Sequence, residues 1–281
     1  MKEKICLVTG ANSGIGKATA FGLAEKGARV ILVCRNKEKG ETTIKEIIDQ
    51  TGNNSIDLLI ADFSSMKSVR KLAKDVEKKY SHLDVLILNA GAFFYKRQVT
   101  EDGFERTAAI NYLSRFLLTN LLLKSLEKSD SARIIDIVGG MKKMIDFDDF
   151  MMEQKYSGSL AIARFSLANI LFIHELNHRK DLNGTTANYY DPGAVRTKMA
   201  EKDGDIPKII KFLFKLFKPF FKSPSKAAEM IIALALSDDF QNVTGKHYSG
   251  KKEEPPPSMV LDDSLRKRLW DISADLTKIN N

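Results

Sequence analysis

Two cysteines, Cys6 and Cys34, are all the thiols in 281 residues. They cannot build a disulfide framework or a zinc cluster, and their scarcity fits a reducing compartment. Long apolar runs are missing too: nothing approaches the roughly 18–20 consecutive apolar residues of a membrane-crossing helix. No low-complexity tract exceeds a few residues, and 43% hydrophobic content excludes a disordered chain. The opening MKEKICLVTG runs straight into a strand-like stretch, so no secretory signal is expected ahead of the fold. The histidines, His82, His174, His178 and His247, are scattered. His174 and His178 stand four apart but lack the His-Glu-x-x-His pattern, and no metal site is expected. Gly-x-Ser-x-Gly and phosphate-loop motifs are absent.

Charge is less one-sided than the net value of +8 suggests, since 44 Lys and Arg face 36 Asp and Glu. The densest basic stretch, 208–222, is interleaved with Phe, Leu and Ile rather than with polar residues. That pattern argues against a nucleic-acid face.

Short β-branched runs alternate with helical periods, the signature of a parallel sheet flanked by helices. Strands are expected at 5–9, 28–34, 55–62, 83–89, 132–138, 185–190 and 246–249. Helices are expected at 15–26, 38–50, 65–80, 104–127, 160–180 and 225–237. These elements fill one α/β domain over 1–281, a doubly wound parallel sheet (Rossmann fold) of about seven strands. The PPP at 255–257 lies past the last expected strand, and the tail, 258–281, carries one more helix around Leu265–Leu276.

TGANSGIG (9–16) follows the first strand and opens the first helix. Gly10 permits a sharp turn, Gly14 lets backbone approach a pyrophosphate, and Gly16 allows close helix–strand packing. Asn12, Ser13 and Ile15 complete the loop, and the helix N-terminus offers unpaired N–H groups to phosphate. An NAD-type site expects an acid at the end of the second strand, where this chain has Cys34, Arg35 and Asn36. A guanidinium there pairs with a 2′-phosphate, which favours NADP(H) over NAD(H).

TGANSGIG, Asp62 after the third strand, LNAG (88–91) and PGAVRT (192–197) resemble the short-chain dehydrogenase/reductase family. GARVILVCRN (27–36), INYLSRFLLTN (110–120) and SLANILFIHEL (166–176) resemble its retinol-dehydrogenase-like branch, and the likeness continues to TGKHYSG and RLWDIS in the tail. The resemblance implies that Asp62 holds the adenine and that Asn89 and Gly91 line the nucleotide site. It also implies that Pro192 and Thr197 lie by the nicotinamide and that Asn111 belongs to the active site.

Family members use a serine, a tyrosine and a lysine. The tyrosine is the general acid/base, the lysine lowers its pKa, and the serine positions the substrate oxygen. In the register set by LANILF, Ile162 stands at the tyrosine position and Ser166 at the lysine position. Val138 and Gly139 stand where the family has Ser-Ser. An alternative register through Tyr156 and Ser159 puts Leu160 at the lysine position and breaks the match that follows, so Tyr156 is expected in the loop before the helix. Lys142, Lys143, Tyr156 and Tyr189 are the groups that could stand in, with the two lysines expected to be solvated.

IPKIIKFLFKLFKPFFKSP (206–224) has five lysines and no acid. Lys208, Lys211, Lys215, Lys218 and Lys222 keep to one helical stripe until Pro219 interrupts the helix. In the resembled family the region of 198–224 is the substrate lid; the segment reads as such a lid, as a helix burying its Phe/Leu face on its own pocket or a partner subunit, or as a helix on an anionic membrane surface. Three functions follow. The first is an NADP(H)-binding pseudoenzyme acting as sensor, scaffold or partner, and the second an oxidoreductase on a lipophilic alcohol or carbonyl with an atypical proton donor. The third is a non-redox cyclase or isomerase of an apolar substrate. The expected location is cytoplasmic, peripheral at a membrane if 206–224 meets lipid, and a homodimer is compatible with the resemblance.

Overall fold

A computed structural model describes residues 3–179, 182–196 and 221–279. Eight strands form one sheet: β1 (Ile5–Thr9), β2 (Arg29–Cys34), β3 (Ile56–Ile60), β4 (Val85–Leu88), β5 (Arg133–Ile137), β6 (Thr186–Asp191), β7 (His247–Ser249) and β8 (Lys252–Glu254). Their order is β3-β2-β1-β4-β5-β6-β7-β8. The first seven pair in parallel and β8 returns antiparallel to β7. The inner strands are buried on both faces, which is why VLIL and RVILVC read as unbroken apolar runs. β8 is the strand the sequence pattern missed: Lys252–Glu254 is fully exposed and has no alternation, and it pairs because the turn at Gly250 folds it back on β7.

Helices α1 (Gly14–Glu25), α2 (Lys37–Thr51) and α6 (Pro224–Leu236) cover one face, where Leu23, Ile47 and Ile231 meet Val8 and Ile87. Helices α3 (Met66–Lys79), α4 (Ser114–Leu126) and α5 (Gly158–His178) cover the other. The stretch expected as one helix over 104–127 is built in three parts: a helical turn Arg106–Ala108 capped by the Glu105 carboxylate, a π-turn Ala109–Leu113, and α4. The tail helix α7 (Asp263–Thr277) lies outside α4 and α5. Trp270 packs on Phe116 (5.0 Å between centroids) and Phe172 (5.9 Å), and Tyr112 Oη meets Ser273 Oγ at 2.7 Å.

Buried between the sheet and α7, α5 is apolar nearly all round. This corrects the expectation that no stretch is long enough to cross a bilayer. The 21 residues of α5 suffice by length and composition, but 72% of its most apolar window is buried inside the fold. The apolar faces of α5 are those of a core helix.

Candidate functional site

The strand order reverses between β1 and β4, and the crevice beyond their carboxyl ends is where such sheets bind ligands. Thr9 ties the two ends together. Its Oγ1 donates to Ile87 O (3.2 Å) and accepts from the amides of Asn89 (2.8 Å) and Ala90 (2.9 Å). Asn89 Nδ2 donates back to Thr9 O at 2.8 Å. Gly10 turns the chain at φ +68°, its amide donating to Val33 O at 2.8 Å. A Cβ on Gly16 would lie 2.4 Å from Asn89 Nδ2 and 2.5 Å from Gly10 O, so nothing larger than glycine fits.

Ser13, at the N-cap of α1, has no side-chain capping bond, whereas Asn36, Ser65, Ser157, Ser223 and Asp262 all cap their helices. The first-turn N–H groups of α1 are thus left for another acceptor at the switch point. This bare, close-packed turn fits a dinucleotide pyrophosphate. Asn12 lies in the same turn, and Ile15 packs its side chain onto the core beneath.

On the adenosine side, Arg35 is 65% exposed, with Nη1 4.0 Å from Asp62 Oδ2. Asp62 Oδ1 is held by Ser64 N (2.9 Å) and Ser64 Oγ (2.7 Å), leaving Oδ2 towards Arg35. Asn36 is committed to capping α2, accepting from Lys39 N at 2.8 Å. An exposed guanidinium beside a fixed carboxylate can bind a phosphate or a ribose edge. Gly91 is exposed at the end of the same crevice.

Asn111 sits in the π-turn and clasps the loop after β4: its Oδ1 accepts from Ala92 N (2.8 Å) and its Nδ2 donates to Ala92 O (2.9 Å). Its own carbonyl accepts from Asn169 Nδ2 at 2.8 Å. Gly139, Ile162 and Ser166 come together across the end of β5 and the first half of α5. A Cβ on Gly139 would stand 3.5 Å from Ser166 Oγ and 3.7 Å from Ile162 Cγ2. The one hydroxyl of the three, on Ser166, donates to Gly139 O at 2.7 Å.

The stand-in groups divide between expected and unexpected places. Tyr156 precedes α5, as expected, and its hydroxyl donates to Phe94 O at 2.8 Å. Tyr189 is buried in the core, stacked on His247 (4.8 Å) with its hydroxyl 3.5 Å from His174 Nε2, so it faces α5 and not the nucleotide crevice. Burial pushes the Tyr189 phenol above its ordinary range. Lys143 is exposed and Lys142 partly so: its side chain is 19% exposed, with Nζ 3.9 Å from Asp191 Oδ2. Asp191 Oδ1 accepts from Gly193 N at 2.8 Å, and the carbonyl of Pro192 between them takes Lys222 Nζ at 3.3 Å. Thr197 and residues 198–220 of the lid segment lie outside the described residues.

A further pair escaped the sequence reading. Buried Arg115 donates through Nη2 to Ala90 O (2.7 Å) and through Nη1 to Ile137 O (2.8 Å) and to the Asp136 carboxylate. It fastens the ends of β4 and β5 together. The available signal was a lone aspartate inside RIIDIV, since a buried charge demands a partner.

A sequence model of the short chain dehydrogenase family matches residues 4–206. Retinol dehydrogenase 13 of Mus musculus is 39% identical over 278 residues, covering 97% of this chain and 83% of its own. The chain belongs to the short chain dehydrogenase family, in its retinol-dehydrogenase-like branch. Solved structures agree on this short chain dehydrogenase fold. A crystal structure of an uncharacterized Mycobacterium paratuberculosis protein superposes with a TM-score of 0.76 at 27% identity, covering 98% of this chain and 93% of that one. A Shigella flexneri short chain dehydrogenase complexed with NADP reaches 0.69 at 24% identity, over 89% and 98%. In this short chain dehydrogenase, the glycine turn and Asn89 are the parts that would hold a nicotinamide dinucleotide, whose bound ring would supply or accept hydride.

Proposed function

We propose that this short chain dehydrogenase binds NADP(H) and a lipophilic small molecule, and that it works as a cofactor-dependent sensor, scaffold or partner subunit. On this reading Gly139, Ile162 and Ser166 replace the serine, tyrosine and lysine of the family. The observation that carries it is their close approach without a group able to exchange a proton with a substrate oxygen: a hydrogen, a hydrocarbon and a hydroxyl already donated to Gly139 O at 2.7 Å. Beside them the close packing around Gly10 and Gly16 supports dinucleotide binding. The exposed Arg35 supports NADP(H) over NAD(H) through charge pairing with a 2′-phosphate. The basic apolar pattern of 206–224 supports peripheral contact with an anionic membrane.

The test is calorimetric titration with NADPH and then NADH, followed by NADPH consumption with lipophilic aldehydes. Micromolar NADPH binding, weaker NADH binding and no turnover above the protein-free rate is the expected result. Absence of dinucleotide binding would overturn it. A second reading is an oxidoreductase on a lipophilic alcohol or carbonyl, and the 39% identity to a retinol dehydrogenase along nearly the whole chain favours it. Robust NADPH consumption by the unmodified protein would select this second reading.

A further inference from the structure

The last paired residues of β4 and β5 are Leu88 and Asp136, at the carboxyl edge where the crevice begins. Arg115, on α4, takes over where that ladder stops. Its guanidinium spans from Ala90 O (2.7 Å through Nη2) to Ile137 O (2.8 Å through Nη1). Four residues earlier, Asn111 holds both the amide and the carbonyl of Ala92. Thr9 Oγ1 accepts from the amides of Asn89 and Ala90. Three side chains thus pin the segment 89–92, and Gly91, within it, stays exposed towards the crevice. Of the three, Arg115 alone also grips β5, two residues before Gly139. The π-turn Ala109–Leu113 ends two residues before Arg115, and such turns gather at functional sites.

Stability explains the Arg115–Asp136 pair poorly. Burial pushes the Asp136 carboxyl above its ordinary range even with the Arg115 guanidinium beside it. Asp136 Oδ2 and Arg115 Nε are buried and have no hydrogen-bond partner among the described residues. A buried ion pair with unmet groups is often equalled in stability by hydrocarbon of similar volume. What hydrocarbon cannot do is donate to two carbonyls on different strands at once. The planar fork of an arginine does this, and a single ammonium does it badly.

We propose that Arg115 is a positioning residue for dinucleotide binding, fixing the segment 89–92 against the end of β5 while Asp136 holds the guanidinium in place. This rests on the dinucleotide part of the proposed function. It adds a residue that acts through the loop and not through contact with the cofactor.

Two variants of the full chain test it, each by NADPH titration, by melting temperature, and by amide hydrogen exchange without NADPH. Arg115→Lys keeps the charge beside Asp136 but replaces the fork by one nitrogen. Arg115→Met combined with Asp136→Val removes both charges with little change in volume, so it should stay folded even if the single change does not. Both should melt within a few degrees of the unmodified protein and bind NADPH about tenfold more weakly. That is the loss expected when the loop holds its receiving shape about a tenth of the time. The amides of Asn89, Ala90 and Ala92 should exchange about tenfold faster, and those of Leu7 and Val8 in β1 at an unchanged rate. Unchanged NADPH affinity in the folded variants would overturn the assignment. So would a loss of affinity that comes with faster exchange throughout β1, because that is the mark of a merely structural pair. If the unmodified protein binds no dinucleotide, the proposed function falls, whereas exchange at 89–92 still decides whether Arg115 holds the loop.

Discussion

The two halves of the sheet's carboxyl edge are built on different principles. At the β1–α1 turn the geometry is enforced by collision, since a Cβ on Gly16 would strike both Asn89 and Gly10 O. At the end of β5 nothing collides: a Cβ on Gly139 would meet its neighbours at ordinary contact distances of 3.5–4.0 Å. Side chains there can be exchanged at little steric cost, because the Ser166 hydroxyl finds Gly139 O and a Cβ on Gly139 would meet Ile162 Cγ2 only at 3.7 Å. A turn fixed by backbone collision and a cluster set by three side chains therefore tolerate change differently. The first is locked to the fold, and the second is free to change chemistry.

Rebuilding the freer half is the strongest way to break this contrast. The triple change Gly139→Ser, Ile162→Tyr and Ser166→Lys should raise NADPH-dependent reduction of lipophilic aldehydes by ~10²–10⁴, the usual worth of a positioned acid. Failure across retinal, steroid and alkyl aldehydes, in a variant that still binds NADPH, would mean that the pocket does not admit them. Reversal of the lysine stripe comes next. Replacing Lys211, Lys215 and Lys218 by Glu should lower liposome co-sedimentation by about 10² or more, at roughly 1 kcal/mol per basic charge near an anionic surface, and leave NADPH binding intact.

The locked half should respond to a single methyl. Gly16→Ala forces Asn89 or the turn to move, at about 1–3 kcal/mol, read as weaker NADPH binding and a lower melting temperature. Arg35→Ser should cost about tenfold in NADPH affinity and little in NADH affinity; equal losses for both would show that Arg35 does not read the 2′-phosphate.

The smallest effect concerns pH. Burial, helped by the nearby Arg266 guanidinium, His178 and His247, pulls the His174 imidazole down to about 4. Between that value and about 6.5 the unfolded chain binds a proton that the folded one refuses. This contribution to stability is whole above about 6.5 and drains away as the pH falls towards 4. His174→Gln should flatten the drop in urea midpoint over that window, and an unchanged slope would place the sensitivity elsewhere.

Most of the strands and the glycine turn were legible because their causes are local. Inner parallel strands are apolar without interruption, and the turn's glycines, Gly10, Gly14 and Gly16, lie close together in the sequence. β8 was not legible: Lys252–Glu254 has no strand pattern and is held by its neighbour alone. The same applies to Lys142, whose environment depends on Asp191, and to Tyr189, whose hydroxyl is claimed by His174. Residue type gave the candidates, but which way each side chain faced was set by strands distant in sequence.

The sequence by itself determined the family, the order of the first seven strands and the helices between them, and the residue types that stand at 139, 162 and 166. These are properties of residue identity and short-range spacing, which survive being read in one dimension. Tertiary structure alone decided that α5 is a core helix roofed by α7, that Arg115 bolts β4 to β5, and that Lys142 comes within 3.9 Å of Asp191. Each depends on two surfaces closing over one another, and spacing along a chain carries no record of that closure.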